Sequence, residues 1–147
     1  MSGMGAGAGV GLFGDSIPAI ESVLSFANQR HAVLLNNVAN VDTPGFRSKD
    51  VPEGDFQKSL RAALESRRSN TEPLALGSGL NLRRTADGGF EAVPVESDGG
   101  VMRNDGNNVA IDQEMSKLLK NAMTMQVFNR MLATQFQMLG LAIRGRL

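Results

Sequence analysis

Apolar residues recur at alternating spacings of three and four near both ends of the chain. Ile17, Ile20, Leu24, Ala27, His31, Leu34 and Val38 form one series. Met115, Leu118, Ala122, Met125, Asn129, Leu132, Phe136, Leu139 and Ile143 form the other, with Ile111 leading into it. This period lays a stripe along one face of an α-helix and is the heptad seam of a coiled coil. It predicts a helix over residues 15–40, capped by Asp15 or Ser16 with Pro18 in the first turn. It predicts a longer helix over 112–143, capped by Asp112, within a C-terminal core unit of 111–147. Residues 41–110 lack the period. A short helix fits Asp55 to Arg68, with Phe56, Leu60 and Leu64 on one face. Beyond it Pro73, Gly77, Gly79, Gly88-Gly89, Pro94 and Gly99-Gly100 leave room only for short extended pieces such as Phe90 to Val95. Residues 1–14 are low-complexity and glycine-rich, which predicts a flexible tail. The expected fold is mainly α. Long N- and C-terminal helices pair as a coiled-coil-like core, and a loop-rich middle insert, containing a short helix and short extended segments, projects from one end of the pair.

The polar positions of the two long helices carry few charges. From Ser16 to Asn40 only Glu21 and Arg30 are charged, and from Asn121 to Ile143 only Arg130. Further apolar residues lie off the seam: Val23, Phe26, Leu35, Met123, Phe128, Met131 and Met138. A solvated helix face is normally rich in charge, and a monomer rarely exposes more than a few hundred Å² of contiguous apolar surface. Other copies, or related chains, are therefore expected to cover these faces, and the ends of the free chain are expected to order on docking. Methionines suit contact with non-identical neighbours. Asn129 at a seam position either fixes register or marks a place where the seam splays. His31 is expected to be a packed, hydrogen-bonded histidine.

Composition narrows the chemistry. The 147 residues suffice for one domain, and 15 basic against 15 acidic residues leave no net charge and no basic footprint for nucleic acid. There is no cysteine, and one histidine cannot build a multi-histidine zinc site. The most apolar run, Met131 to Ile143, is too short to span a membrane. The N-terminus lacks the basic start and continuous apolar core of a cleaved secretory signal. No Lys follows the N-terminal glycines as a P-loop needs, and no strand precedes them as a dinucleotide fingerprint needs. An EF-hand frame fails: with Gly106 or Gly100 as the loop glycine, Val101 or Val95 falls at position one. No catalytic, cofactor-binding or metal-ligating residue emerges, and neither enzymatic activity nor a cofactor is expected.

The junction after the first helix is the most informative stretch. Pro44 pushes Thr43 out of the helical region and ends the helix. Pro44-Gly45 suits the centre of a type II turn, with Gly45 at positive φ. Asn40 and Asp42 can bond backbone groups freed by the helix end, and Phe46 can anchor the outgoing chain in an apolar pocket. Ala39, Asn40, Thr43, Pro44, Gly45 and Phe46 together match the A-N-x-x-T-P-G-[FY] box of flagellar rod, hook and hook-associated axial proteins, a family the chain closely resembles. Asp105 to Met115, Lys117 to Gln126, Leu141 to Arg144, and Lys49-Asp50-Val51 followed by Phe56 and Leu60 are similar to the short proximal rod members of that family. Two types of proximal rod protein share the box and the length. The resemblance implies a structural subunit of the proximal rod of the bacterial flagellar basal body. It implies export through the flagellar type III apparatus without signal cleavage, then assembly in the periplasm on the MS-ring side. The partners would be copies of the chain and other rod proteins, forming a hollow helical tube that transmits torque to the hook. More remotely, the same amphipathic ends would serve a soluble helical adaptor or chaperone.

Overall fold

The computed structural model describes residues 8–69, 74–77, 79, 81–97 and 101–145. In chain order the elements are α1 (Ala8–Ala39), β1 (Lys49–Asp50), α2 (Glu53–Ser69), β2 (Leu82–Arg84), β3 (Phe90–Ala92), β4 (Val95–Glu96) and α3 (Ile111–Arg144). Among the described residues the fold is mainly helical: long terminal helices, one short helix between them, and two small two-stranded sheets.

Two helix starts differ from expectation. α1 begins at Ala8, so Asp15 and Ser16 lie inside it rather than capping it, and Pro18 is interior. Val10, Leu12 and Phe13 are interspersed with the glycines there, and extending an existing helix fixes only one residue per hydrogen bond gained. The remainder of the expected tail, residues 1–7, lies outside the described residues. α3 is entered through Ala110 at φ −95°, ψ 101°, without a side-chain cap. Asp112 sits two residues past the cap position. With Glu114 it places negative charge in the first turn, where the helix dipole favours it.

α1 and α3 run antiparallel, since Asn37 meets Glu114 while Ala27 meets Asn121. On α1, Ile20, Ala27 and Leu34 are buried, and Ile17, Leu24, His31 and Val38 are partly buried. On α3 the inward stripe is Glu114, Leu118, Asn121, Met125, Phe128, Leu132, Gln135 and Leu139. It keeps the alternation of four and three but is rotated from the expected seam, sharing only Leu118, Met125, Leu132 and Leu139. Met115, Ala122, Asn129, Phe136 and Ile143 are exposed instead. Hydrophobicity alone favours the expected stripe. The observed one wins through hydrogen bonds: the Asn121 amide donates to the Ala27 carbonyl at 2.8 Å, and Glu114 accepts from Asn37 at 2.7 Å. Asn129 is exposed and does not fix register against α1.

The insert does not project from the end of the pair. β1 pairs antiparallel with β4 (Lys49↔Glu96, Asp50↔Val95), and β2 with β3 (Leu82↔Ala92, Arg83↔Glu91, Arg84↔Phe90). With α2 they enclose a core of Phe26, Val51, Phe56, Ala63, Leu76, Leu82 and Ala92, flanked by Val23, Val33 and Leu60. Phe26 of α1 stacks on Phe56 with ring centroids 4.3 Å apart, and Phe56 meets Phe90 at 5.6 Å. The Gln29 amide serves as a strand edge for β3: it donates to the Phe90 carbonyl at 3.1 Å and accepts the Ala92 N–H at 2.7 Å. Few large apolar residues are needed, because α1 supplies its off-seam Val23 and Phe26 to the same core.

Candidate assembly interface

The junction box is a closed turn held from behind. The Phe46 N–H donates to the Thr43 carbonyl at 3.2 Å across Pro44-Gly45, and Gly45 has φ 72°. The Asn40 amide donates to the Asn36 carbonyl at 2.8 Å and accepts from the Thr43 hydroxyl at 3.1 Å. Ala39, Thr43, Pro44 and Gly45 are exposed, while Asn40 and Phe46 are partly buried. Asp42 is exposed and makes none of the expected backbone bonds.

The support comes from the segment leading into α3. Asn107 is fully buried. Its amide donates to the carbonyls of Asn40, Val41 and Thr43 at 3.0, 3.0 and 2.9 Å, and its oxygen accepts the Val109 N–H at 2.7 Å. One side chain thus satisfies carbonyls that the end of α1 leaves without helical partners. The Gly45 N–H donates to the Asp105 carbonyl at 2.9 Å. The Asn108 oxygen accepts the Ser48 N–H at 2.7 Å. Gly106, at φ 78°, lies against the Gly45 backbone.

A second network ties β1 to both helices. Asn37, fully buried, donates to the Lys49 carbonyl at 2.6 Å and accepts the Lys49 N–H at 3.0 Å, reading β1 as a strand would. The same amide donates to Glu114, which is fully buried and paired with Lys117 at 2.9 Å. Lys117 lies 3.5 Å from Asp50. Arg30 grips Asp50 with two bonds of 2.8 and 3.0 Å and also pairs with Glu53. Burial pushes the Asp50 carboxyl upward most strongly. The hydrogen bond and charge of Arg30, the Val51 N–H and Lys117 together outweigh it and hold the group below its ordinary value of 3.8. Glu114 and Asn37 were not singled out from the sequence. Acids such as Asp112 and Glu114 in a helix's first turn normally signal the dipole, and only the fold shows that Glu114 is buried.

The outer side of α3 is bare. Leu119, Met123, Val127, Met131 and Leu141 are exposed, Leu141 at 68%. Beside it an open groove of about 550 Å³ runs between the long helices, lined by His31, Met125, Gln126, Asn129 and Arg130. His31 is packed at its edge, but its Nδ1 has no hydrogen-bond partner among the described residues, contrary to expectation. Among the described residues no three metal-ligating side chains cluster, and no helix is long and apolar enough to cross a membrane.

No family model matches the chain. The chain is 30% identical over 136 residues to the flagellar basal body rod protein FlgB of Borrelia hermsii, across 90% of this chain and 98% of that protein. It is 27% identical over 134 residues to FlgB of Bacillus subtilis, across 91% and 97%. It is 30% identical over 123 residues to FlgB of Aquifex aeolicus, across 84% and 88%. The box and the length left two proximal rod types open, FlgB and FlgC, and these relatives select the first. Similarity that runs through nearly the whole of both chains, box, insert and terminal helices together, means that the chain belongs to the FlgB family of flagellar basal body rod proteins.

Proposed function

We propose that this rod subunit assembles with copies of itself and with other flagellar rod proteins into the hollow helical tube of the proximal rod, which carries motor torque toward the hook. The observation that carries this reading is the asymmetry of cover. α1 is buried by α3 on one side and by the insert on another, whereas on α3 only Glu114, Leu118 and Asn121 are buried. A row from Leu119 to Leu141 has nothing over it among the described residues of the subunit. The clamps at Asn107 and Glu114 hold the first turns of α3, and the remainder is the part whose ordering gains most from a neighbour. The box residues Ala39, Asn40, Thr43, Pro44, Gly45 and Phe46 set the angle at which the insert leaves the core and meets the next subunit. The subunit would be exported by the flagellar type III apparatus without signal cleavage and would assemble in the periplasm, on the MS-ring side.

The test is genetic and biochemical. Deleting the gene in the source bacterium should abolish motility and leave basal bodies without rods, and complementation should restore both. An epitope-tagged chain should copurify with rod-containing basal bodies at its full translated length. Normal rods in the deletion strain, or a tagged chain absent from purified rods, would overturn the reading.

A further inference from the structure

Only three charges fall between Ser16 and Ala39 of α1 and between Asn121 and Ile143 of α3: Glu21, Arg30 and Arg130. Arg30 is used within the subunit by Asp50 and Glu53. Glu21 on α1 and Arg130 on α3 are exposed, and neither has a hydrogen-bonded or ion-paired side-chain partner among the described residues.

Glu21 stands at a cleft of about 400 Å³ between α1 and the turn joining β2 to β3. The turn supplies a second carboxylate, Asp87. The Thr85 hydroxyl, its own backbone N–H and that of Gly89 hold its pKa below the ordinary value. The apolar walls are Pro18, Leu74, Leu76 and Phe90, and no lysine or arginine is among the described lining residues. Among the described residues the cleft therefore presents two carboxylates and the hydroxyls of Ser22, Ser25 and Thr85 between apolar walls, with no cation. Arg130 is its complement: a single guanidinium on an uncharged stretch of α3, with Met123, Val127 and Thr134 on the same exposed face. A face that must be covered cannot bury an arginine without a counter-charge.

We propose that Arg130 of one copy enters the Glu21–Asp87 cleft of a second copy, while Met123 and Val127 cover the apolar wall. This rests on the rod-subunit reading. A second copy is the occupant because both halves of the contact occur in one chain with no net charge. The cleft belongs to α1 and the insert and the knob to α3, so the contact is head-to-tail, the kind that builds an open helical array when it does not close. The charge pair sets register along an otherwise slippery apolar face.

The absence of native cysteine makes the test clean. The full chain carrying Glu21→Cys and Arg130→Cys replaces the chromosomal copy, and purified basal bodies are treated with a short bis-maleimide. The expected result is a ladder of multiples of the chain mass from the double variant and none from either single variant. No ladder from a double variant present in the rod overturns the contact, as does a dimer from Arg130→Cys alone or a cross-link to a chain of different mass. Where the double variant fails to enter the rod, charge exchange decides. Arg130→Glu should lower incorporation about tenfold, and adding Glu21→Arg should recover most of it. Recovery no better than the single exchange overturns the proposal. Failure here leaves the wild-type chain in the rod fraction, whereas failure of the rod reading removes it from that fraction.

Discussion

Replacing Asn107 with alanine isolates the support behind the box. The side chain is fully buried, so water cannot substitute for it. Its two amide hydrogens are shared among three carbonyls, each of which keeps a second donor: Thr43 N–H on Asn40, Arg103 on Val41, Phe46 N–H on Thr43. Those carbonyls are weakened rather than orphaned. The Val109 N–H is different, since its bond to the Asn107 oxygen at 2.7 Å has no replacement. Two shared bonds and one unreplaced bond, at about 1 kcal/mol net each, with up to about 1 kcal/mol more for the stranded donor, give a loss of about 3–4 kcal/mol. Asn107→Asp should be worse than alanine, because it turns a carboxylate oxygen toward three carbonyls. Asn108→Ala, which strands the buried Ser48 N–H and loses a long bond to the Ser97 carbonyl, should cost less, about 1–2 kcal/mol. The assay is urea unfolding of the purified full chain followed by circular dichroism. A loss below about 0.5 kcal/mol for Asn107→Ala, or an aspartate variant more stable than the alanine one, would refute the reasoning.

Three further outcomes follow from other parts of the structure. Gly45→Val should cost about 1–2 kcal/mol through backbone strain alone, since φ is 72° and a Cβ there meets nothing within 4 Å; Gly45→Asn should cost less, and equal stability of all three chains in urea titration counts against the turn. The Asp50 carboxyl is depressed in the folded chain, so its contribution is fully present above its unfolded value near 3.8 and is lost as pH falls through the lower folded value. Unfolding measured across that window should show a shallower acid decline for Asp50→Asn than for wild type; identical slopes would contradict the assignment. Leu132→Asp places a carboxylate on the partly buried inward stripe at a cost of about 1–3 kcal/mol and should be exported yet missing from basal bodies, whereas Ser66→Asp on the exposed side of α2 should stay within about 0.5 kcal/mol and incorporate normally. Immunoblots of purified basal bodies compare the last two, and equal amounts would mean that the stripe is not packed.

Periodicity placed the two long helices and the short one, because amphipathic patterns survive without knowledge of tertiary contacts. It also located the α1 stripe, where Ile20, Ala27 and Leu34 are both apolar and buried. It misplaced half of the α3 stripe for a physical reason: the inward positions Glu114 and Asn121 are polar, and their fitness depends on partners far away in sequence. The Pro44-Gly45 turn was legible locally, since its φ follows from residue type. Its support by Asn107 was not, because an asparagine that bonds residues more than sixty positions away leaves no local signature. The docking of the insert on α1 was missed because its core is shared: Phe56 and Phe90 look sparse until Phe26 is added to them.

The central claim is that the outer face of α3, which none of the described residues of the subunit covers, is covered by assembly. Single cysteines at Met123, Val127 and Leu141, in a chain that otherwise has none, turn that claim into an accessibility measurement. A maleimide reagent is applied to each variant as dilute purified chain and as intact purified basal bodies, with denatured samples giving full labelling. The account predicts rapid labelling of all three in the free chain and strong protection in the rod. Equal labelling rates in the two states, with the chain shown to be present in the rod, would contradict it.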